Sequence, residues 1–85
     1  MYKIVYSKDI EKDLAKLPKD EIRKILLKID YLSEDPRPIG SKLLQGSMNG
    51  FYRIRSGNYR IVYEIFDNHL VVSVVRIAHR GRVYE

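Results

Sequence analysis

The hydrophobic period of this chain changes once, at Gly50, and that change most restricts the fold. Before it, Ile22, Ile25, Leu26, Ile29 and Leu32 recur at helical spacing and make one apolar stripe. After it, Phe51–Arg55, Tyr59–Phe66 and Leu70–Ala78 are rich in β-branched and aromatic residues, with turn residues between them. A chain with both periods in separate halves folds as helices segregated from a sheet.

The remaining elements follow locally. Tyr2–Tyr6 alternates as a strand, and Ser7 is suited to cap a helix whose first turn carries Asp9 and Glu11. Ile10, Leu14 and Leu17 share a face of that helix. Pro18 fits the first turn of a second helix, followed by Asp20 and Glu21. The second helix ends before Pro36. Residues 33–50 hold Pro36, Pro38, Gly40, Gly46 and Gly50 and read as a loop with a short extended piece at Lys42–Leu44. The expectation is one α+β domain over residues 1–85: an N-terminal strand, a helical hairpin, then a three-stranded antiparallel meander, with one sheet packed on the helices.

Composition narrows the function. A length of 85 residues leaves room for one modest core, and 45% hydrophobic residues is too many for a disordered chain. There is no cysteine, which excludes disulfides and thiolate metal sites and fits a reducing cytoplasm. No apolar run reaches the roughly 20 residues that span a bilayer, so no membrane role is expected. Met1–Ser7 is too short and polar for a signal peptide. The net charge of +5 favours acidic partners, nucleic acid first among them, against the plainer reading of a lysine-rich soluble surface.

The kind of cation is more informative. Residues 51–85 contain Arg53, Arg55, Arg60, Arg76, Arg80 and Arg82 and no lysine, whereas residues 1–50 carry lysines with only Arg23 and Arg37. Arginine's planar fork grips phosphate through two hydrogen bonds; lysine is a flexible point charge. The N-terminal cations read as solvation and the C-terminal ones as placed.

Gly57-Asn58 is a two-residue hairpin turn that opposes Arg55 to Arg60. Arg53, Arg55, Arg60 and Val62 then share one face, and Tyr52, Ile54, Tyr59, Ile61, Tyr63 and Ile65 take the other. Two opposed arginines repel, an arrangement suited to a surface that receives an anion. The next hairpin admits two registers. A two-residue loop puts His69, Val71, Ser73, Val75, Ile77 and His79 on the arginine face. A three-residue loop, Asp67 to His69, puts Val72, Val74, Arg76, Ala78 and Arg80 there and leaves His79 at the strand end. The second keeps Arg76 out of the core, where an unpaired charge is costly, and is the one expected.

The tail His79-Arg80-Gly81-Arg82-Val83-Tyr84 gathers an imidazole, guanidiniums and a phenol. Taken singly, His79 reads equally well as a surface histidine and Tyr84 as an aromatic docked on the core. Glu64 shares the Arg60 face, where pairing with an arginine is a plainer role than that of a base. No spacing suits a metal, and no glycine-rich phosphate loop or nucleophile elbow occurs, so neither metal nor cofactor is expected.

Lys42-Leu43-Leu44-Gln45-Gly46, Gly50-Phe51-Tyr52-Arg53-Ile54-Arg55, Gly57-Asn58-Tyr59-Arg60-Ile61-Val62-Tyr63-Glu64, His79-Arg80 and Val83-Tyr84 together resemble the RelE/ParE superfamily of toxins from prokaryotic toxin–antitoxin pairs. The resemblance spans essentially the whole chain and lies closest to the RelE branch. It implies a microbial-ribonuclease-like fold and a metal-independent endoribonuclease that cleaves mRNA in the ribosomal A site. The 2′-hydroxyl of one nucleotide would attack the adjacent phosphate, leaving a 2′,3′-cyclic phosphate and a 5′-hydroxyl. By the same resemblance Arg60 stabilises the phosphorane, Arg80 lies near the leaving 5′-oxygen and Tyr84 stacks on or orients the substrate. Arg53 and Arg55 stand where RelE-type enzymes often have lysines.

Arginine hardly gives up its proton, so Arg53 serves catalysis as fixed charge, and Arg55, Arg76 and Arg82 as holders of RNA. His79 is left as the candidate for proton transfer, since histidine's reference pKa is about 6.5. The resemblance also implies a cognate antitoxin, a toxin–antitoxin hetero-oligomer and a cytoplasmic place of action. An acidic antitoxin segment is expected on the sheet face or the helical hairpin, because one residue follows Tyr84. Two other readings stand beside this one: a ParE-type inhibitor of DNA gyrase with no nuclease activity, and a noncatalytic nucleic-acid-binding domain.

Overall fold

The computed structural model describes residues 1–79; the expectations for Arg80, Arg82 and Tyr84 lie outside the described residues. The elements run β1 (Lys3–Tyr6), α1 (Asp9–Ala15), α2 (Lys19–Tyr31), β2 (Lys42–Leu43), β3 (Tyr52–Ser56), β4 (Tyr59–Phe66) and β5 (Val71–His79). The five strands form one mixed sheet in the order β1-β5-β4-β3-β2, with β1 parallel to β5 and the other pairs antiparallel. The α+β architecture agrees with the change of period at Gly50. The extended piece expected at Lys42–Leu44 becomes an edge strand paired with β3, which brings the sheet to five strands.

The helices cover one face of this sheet, α1 against β5 and α2 against β3. Ile25, Ile29 and Leu32 of the expected stripe are fully buried, with Leu26 partly so. They meet Ile54, Ile61 and Tyr63, with Tyr52, Tyr59 and Ile65 packed at the margins. Tyr63 is fully buried, and its hydroxyl donates to the Pro36 carbonyl at 2.8 Å. That bond carries the 33–41 loop onto the sheet.

Two helix starts differ from expectation. Lys8, not Ser7, stands at the cap position of α1, without a side-chain cap. Ser7 is instead drawn to β5: its N–H donates to the Val74 carbonyl at 2.9 Å and its hydroxyl to the Val75 carbonyl at 3.2 Å. Pro18 is the cap residue of α2 and not part of its first turn; its ψ of 149° is extended.

The last hairpin is where local reasoning fails. Phe66 pairs with Val71, so four residues, Asp67–Leu70, make the connection and not three. Leu70 takes φ 53°, a left-handed conformation costing a branched residue about 1–2 kcal/mol. Its carbonyl accepts from the Lys3 N–H at 2.8 Å, so the turn joins β1 to β5. From Val71 the strand alternates, and Val72 and Val74 face the core beside Ile65 and Tyr63. This corrects their expected place on the arginine face. The ladder then shifts between Val62 and Tyr63: Tyr63 pairs with Val74 but Val62 with Arg76, leaving Val75 as an extra residue. This β-bulge reverses the parity of β5. Arg76 and Ala78 turn to the arginine face, and Ile77 turns to the core. Neither of the two regular registers describes the strand; the first half follows one parity and the second half the other.

Candidate functional site

The face of the sheet opposite α1 and α2 carries the arginines in two rows. Cross-strand partners share a face, and neighbouring strands lie about 4.8 Å apart. Lys42 pairs with Arg53, Arg53 with Val62, and Val62 with Arg76, so the first row is Lys42-Arg53-Val62-Arg76 across four strands. Arg55 pairs with Arg60, and Arg60 with Ala78, so the second is Arg55-Arg60-Ala78. The expected opposition of Arg55 and Arg60 is present. Arg76 joins the cluster as expected, by way of the bulge and not through the expected loop. Glu64, paired with Ser73, lies on this face one turn of the pleat beyond Val62.

The rows differ in burial. Arg53 is 5% exposed and Val62 1%, whereas Arg55 and Arg76 reach solvent and Arg60 is half-buried. Burial first, and then the charge of Arg55, press the Arg53 pKa below its ordinary value. A partly desolvated guanidinium beside another is a position from which arrival of an anion recovers free energy. A row of fixed forks at strand spacing can bind successive oxygens of a phosphodiester and stabilise extra negative charge on one of them.

His79 stands apart from this cluster. It pairs with Tyr59, a residue of the helix-facing side, and the two rings meet edge to face at 5.7 Å and 87°. The structure brings Arg53, Arg55, Arg60 and Arg76 together and places His79 on the opposite side of the sheet, as the last residue of β5. Among the described residues no group of three or more His, Cys, Asp or Glu side chains could hold a metal ion.

Five other side chains matter in ways that neighbouring residues do not reveal. Lys42 extends the first row. Arg37, read as solvation, is a placed residue: its fork grips Asp67 at 2.8 and 3.2 Å, its Nε donates to the Tyr52 hydroxyl at 3.1 Å, and its guanidinium lies 5.3 Å from that ring's centre. Tyr2 donates to the same carboxylate at 2.6 Å. Arg37, then Tyr2, hold the Asp67 carboxyl down at about 2, and the bond to Asp67 raises the Tyr2 pKa. The signal was present: Pro36 and Pro38 flank Arg37 and restrict the backbone that presents it. Ser7 and Asp13 also serve β5, and their signal lies in distant strands, not in neighbouring residues.

Two helices on one face of a five-stranded sheet, with rows of arginine on the other, define a small α+β domain with an anion-ready surface. A family described as ParE toxin of type II toxin–antitoxin system, parDE, matches residues 4–84. The toxin RelG of Mycobacterium tuberculosis is 31% identical over 84 residues, covering 98% of this chain and 95% of that protein. The crystal structure of the archaeal RelE–RelB complex from Pyrococcus horikoshii superposes with a TM-score of 0.81 at 31% identity, over 96% of this chain and 98% of that one. The intact RelBE toxin–antitoxin complex of Escherichia coli gives 0.74 at 26% identity, over 93% and 96%. This chain belongs to the ParE toxin family of type II toxin–antitoxin systems, within the RelE/ParE superfamily and nearest its RelE-type branch.

Proposed function

We propose that this toxin is a ribosome-dependent endoribonuclease that cleaves mRNA without a metal, by attack of a 2′-hydroxyl on the adjacent phosphate. The observation that carries this reading is the double row of arginines. Arg60 stabilises the phosphorane, with the buried charge of Arg53 beside it. Arg55, Arg76 and Arg82 hold the flanking backbone. Arg80 neutralises the leaving 5′-oxygen, and Tyr84 orients the substrate. Fixed donors aimed at developing charge give roughly 10²–10³ in rate each in other acyl- and phosphoryl-transfer enzymes. Proton transfer falls to His79, the last residue of β5. Glu64 is the carboxylate that shares the arginine face. In this reading the toxin acts in the cytoplasm, on mRNA in the ribosomal A site, and is held inactive in a complex with a cognate antitoxin, as supported by similarity to the RelE–RelB and RelBE complexes.

The decisive experiment incubates the toxin with programmed ribosomes and maps mRNA ends. Cleavage that disappears in Arg60→Ala is the expected result; intact message at stoichiometric toxin rejects the reading. A second reading, inhibition of DNA gyrase without nuclease activity, is favoured by the ParE description of the matched family. A supercoiling assay with purified gyrase separates the two.

A further inference from the structure

The arrangement of Arg76 hangs on the irregularity in β5. Val74 faces the core, so a regular strand would turn Val75 outward and Arg76 inward. The extra residue at Val75 prevents this, and its cause can be traced. β1 stops at Tyr6, opposite Val74, so beyond that point the outer edge of β5 has no strand partner among the described residues. The bulge turns the carbonyls of Val74 and Val75 to the same edge, and Ser7 meets both, through its N–H and its hydroxyl. The next donor on that edge is the Ile77 N–H, which gives its hydrogen to Asp13 Oδ2 at 2.9 Å. The same oxygen lies 3.8 Å from Arg76 Nε, close enough for an ion pair and too far for a hydrogen bond.

Asp13 is an unfavourable residue for its own helix. It lies near the C-terminal end of α1, where the dipole disfavours negative charge. Its side chain is 10% exposed, against 57% for Arg76. A largely buried carboxylate at the wrong end of a seven-residue helix is accounted for by what it holds outside that helix.

We propose that Asp13 is a positioning residue of the arginine face. It closes the open edge of β5 beyond the bulge, which keeps the reversed parity, and its charge steers the Arg76 guanidinium to the outer, β5 end of the row Lys42-Arg53-Val62-Arg76. The second half of this statement rests on the reading of that face as a phosphate-binding surface; the first does not.

The experiment compares the wild-type toxin with Asp13→Ala, Asp13→Asn, Arg76→Ala and Asp13→Ala/Arg76→Ala. Two quantities are read: amide hydrogen exchange at Ile77, and the salt dependence of binding to an uncleavable 2′-O-methyl RNA dodecamer. In Asp13→Ala, exchange at Ile77 rises about tenfold relative to core amides such as that of Ile61. Asp13→Asn, which keeps an acceptor oxygen, restores that protection. The slope of log K against log salt becomes shallower by about 0.7, one phosphate contact, in Arg76→Ala. Asp13→Ala and Asp13→Asn show the same loss, and the double variant adds nothing to it.

Unchanged Ile77 protection in Asp13→Ala overturns the edge-closing role. A slope that stays at the wild-type value in both Asp13 variants while falling in Arg76→Ala overturns the steering role, as does an additive double variant. Equal slopes for wild type and Arg76→Ala instead reject Arg76 as a phosphate contact, and with it the steering role. The edge-closing role is then decided by Ile77 exchange alone. Should Asp13→Ala fail to fold, Asp13→Asn carries the test of charge through its slope and supports edge closing by its Ile77 protection.

Discussion

Arg55 and Arg60 stand directly opposite each other across the β3–β4 hairpin, on the face of the sheet that the helices leave open. Like charges in this position destabilise a hairpin by about 0.2–1 kcal/mol. Arg55→Thr, a change at an exposed position to a residue that suits strands, is therefore expected to raise the melting temperature by up to about 5 °C at low ionic strength. The gain shrinks in 0.5 M salt, on the order of which the Debye length is a few ångströms. The same variant binds RNA more weakly. Calorimetry at two salt concentrations, with RNA binding measured alongside, checks the opposition of stability and function.

His79 and Glu64 divide the question of proton transfer by geometry, one on the helix-facing side of the sheet and the other among the arginines. With His79 as the proton-transfer group, His79→Gln lowers single-turnover cleavage by about 10²–10⁴-fold and leaves RNA affinity unchanged. Glu64→Gln then has a small effect. The reverse outcome moves the base to the arginine face, and a pH–rate profile of each variant shows which limb is lost.

The Arg37–Asp67 clasp ties the proline-flanked loop to the turn before β5. The folded Asp67 carboxyl holds its charge down to about 2, below its ordinary 3.8. The native state thus binds fewer protons than the unfolded chain in that window. The stability that the clasp confers is complete well above 3.8 and is lost as the pH falls toward 2. Melting temperatures measured between pH 5 and 2 should fall less steeply in Asp67→Asn than in the wild type.

Tyr63→Phe keeps the fully buried ring and removes the bond from its hydroxyl to the Pro36 carbonyl. The expected loss is about 1–2 kcal/mol, because the carbonyl loses its donor without gaining water. Urea denaturation measures it, and an unchanged midpoint would mean that the 33–41 loop is held by its other ties, the Arg37 contacts and the bond from the Tyr2 N–H to the Ser33 carbonyl.

The core faces were legible because their cause is local. Ile25, Ile29 and Leu32 repeat at helical spacing, and Ile54, Ile61 and Tyr63 alternate, so each element declares its buried side. The two-residue turn at Gly57-Asn58 likewise set Arg55 against Arg60 within six residues of chain. Ser7 shows the opposite case: by its neighbours it is a helix cap, and only the presence of β5 makes it a partner of Val74 and Val75.

From its sequence alone this chain declares an α+β domain, a helical hairpin, an apolar sheet face and a family of toxins. It also declares that Arg53, Arg55 and Arg60 share a face, since side-chain period and a tight turn are properties of short segments. Tertiary structure decided the side on which Val72, Val74, Arg76 and His79 fall. That choice goes with a bulge whose strand is bonded by Ser7, just after β1, and by Asp13 of α1, both more than sixty residues away in the chain. A strand's parity can be reversed by one added residue, and whether the residue is added depends on how the backbone groups of an otherwise open edge find partners. The arginine rows are thus a local pattern in β3 and β4 completed by a long-range one in β5.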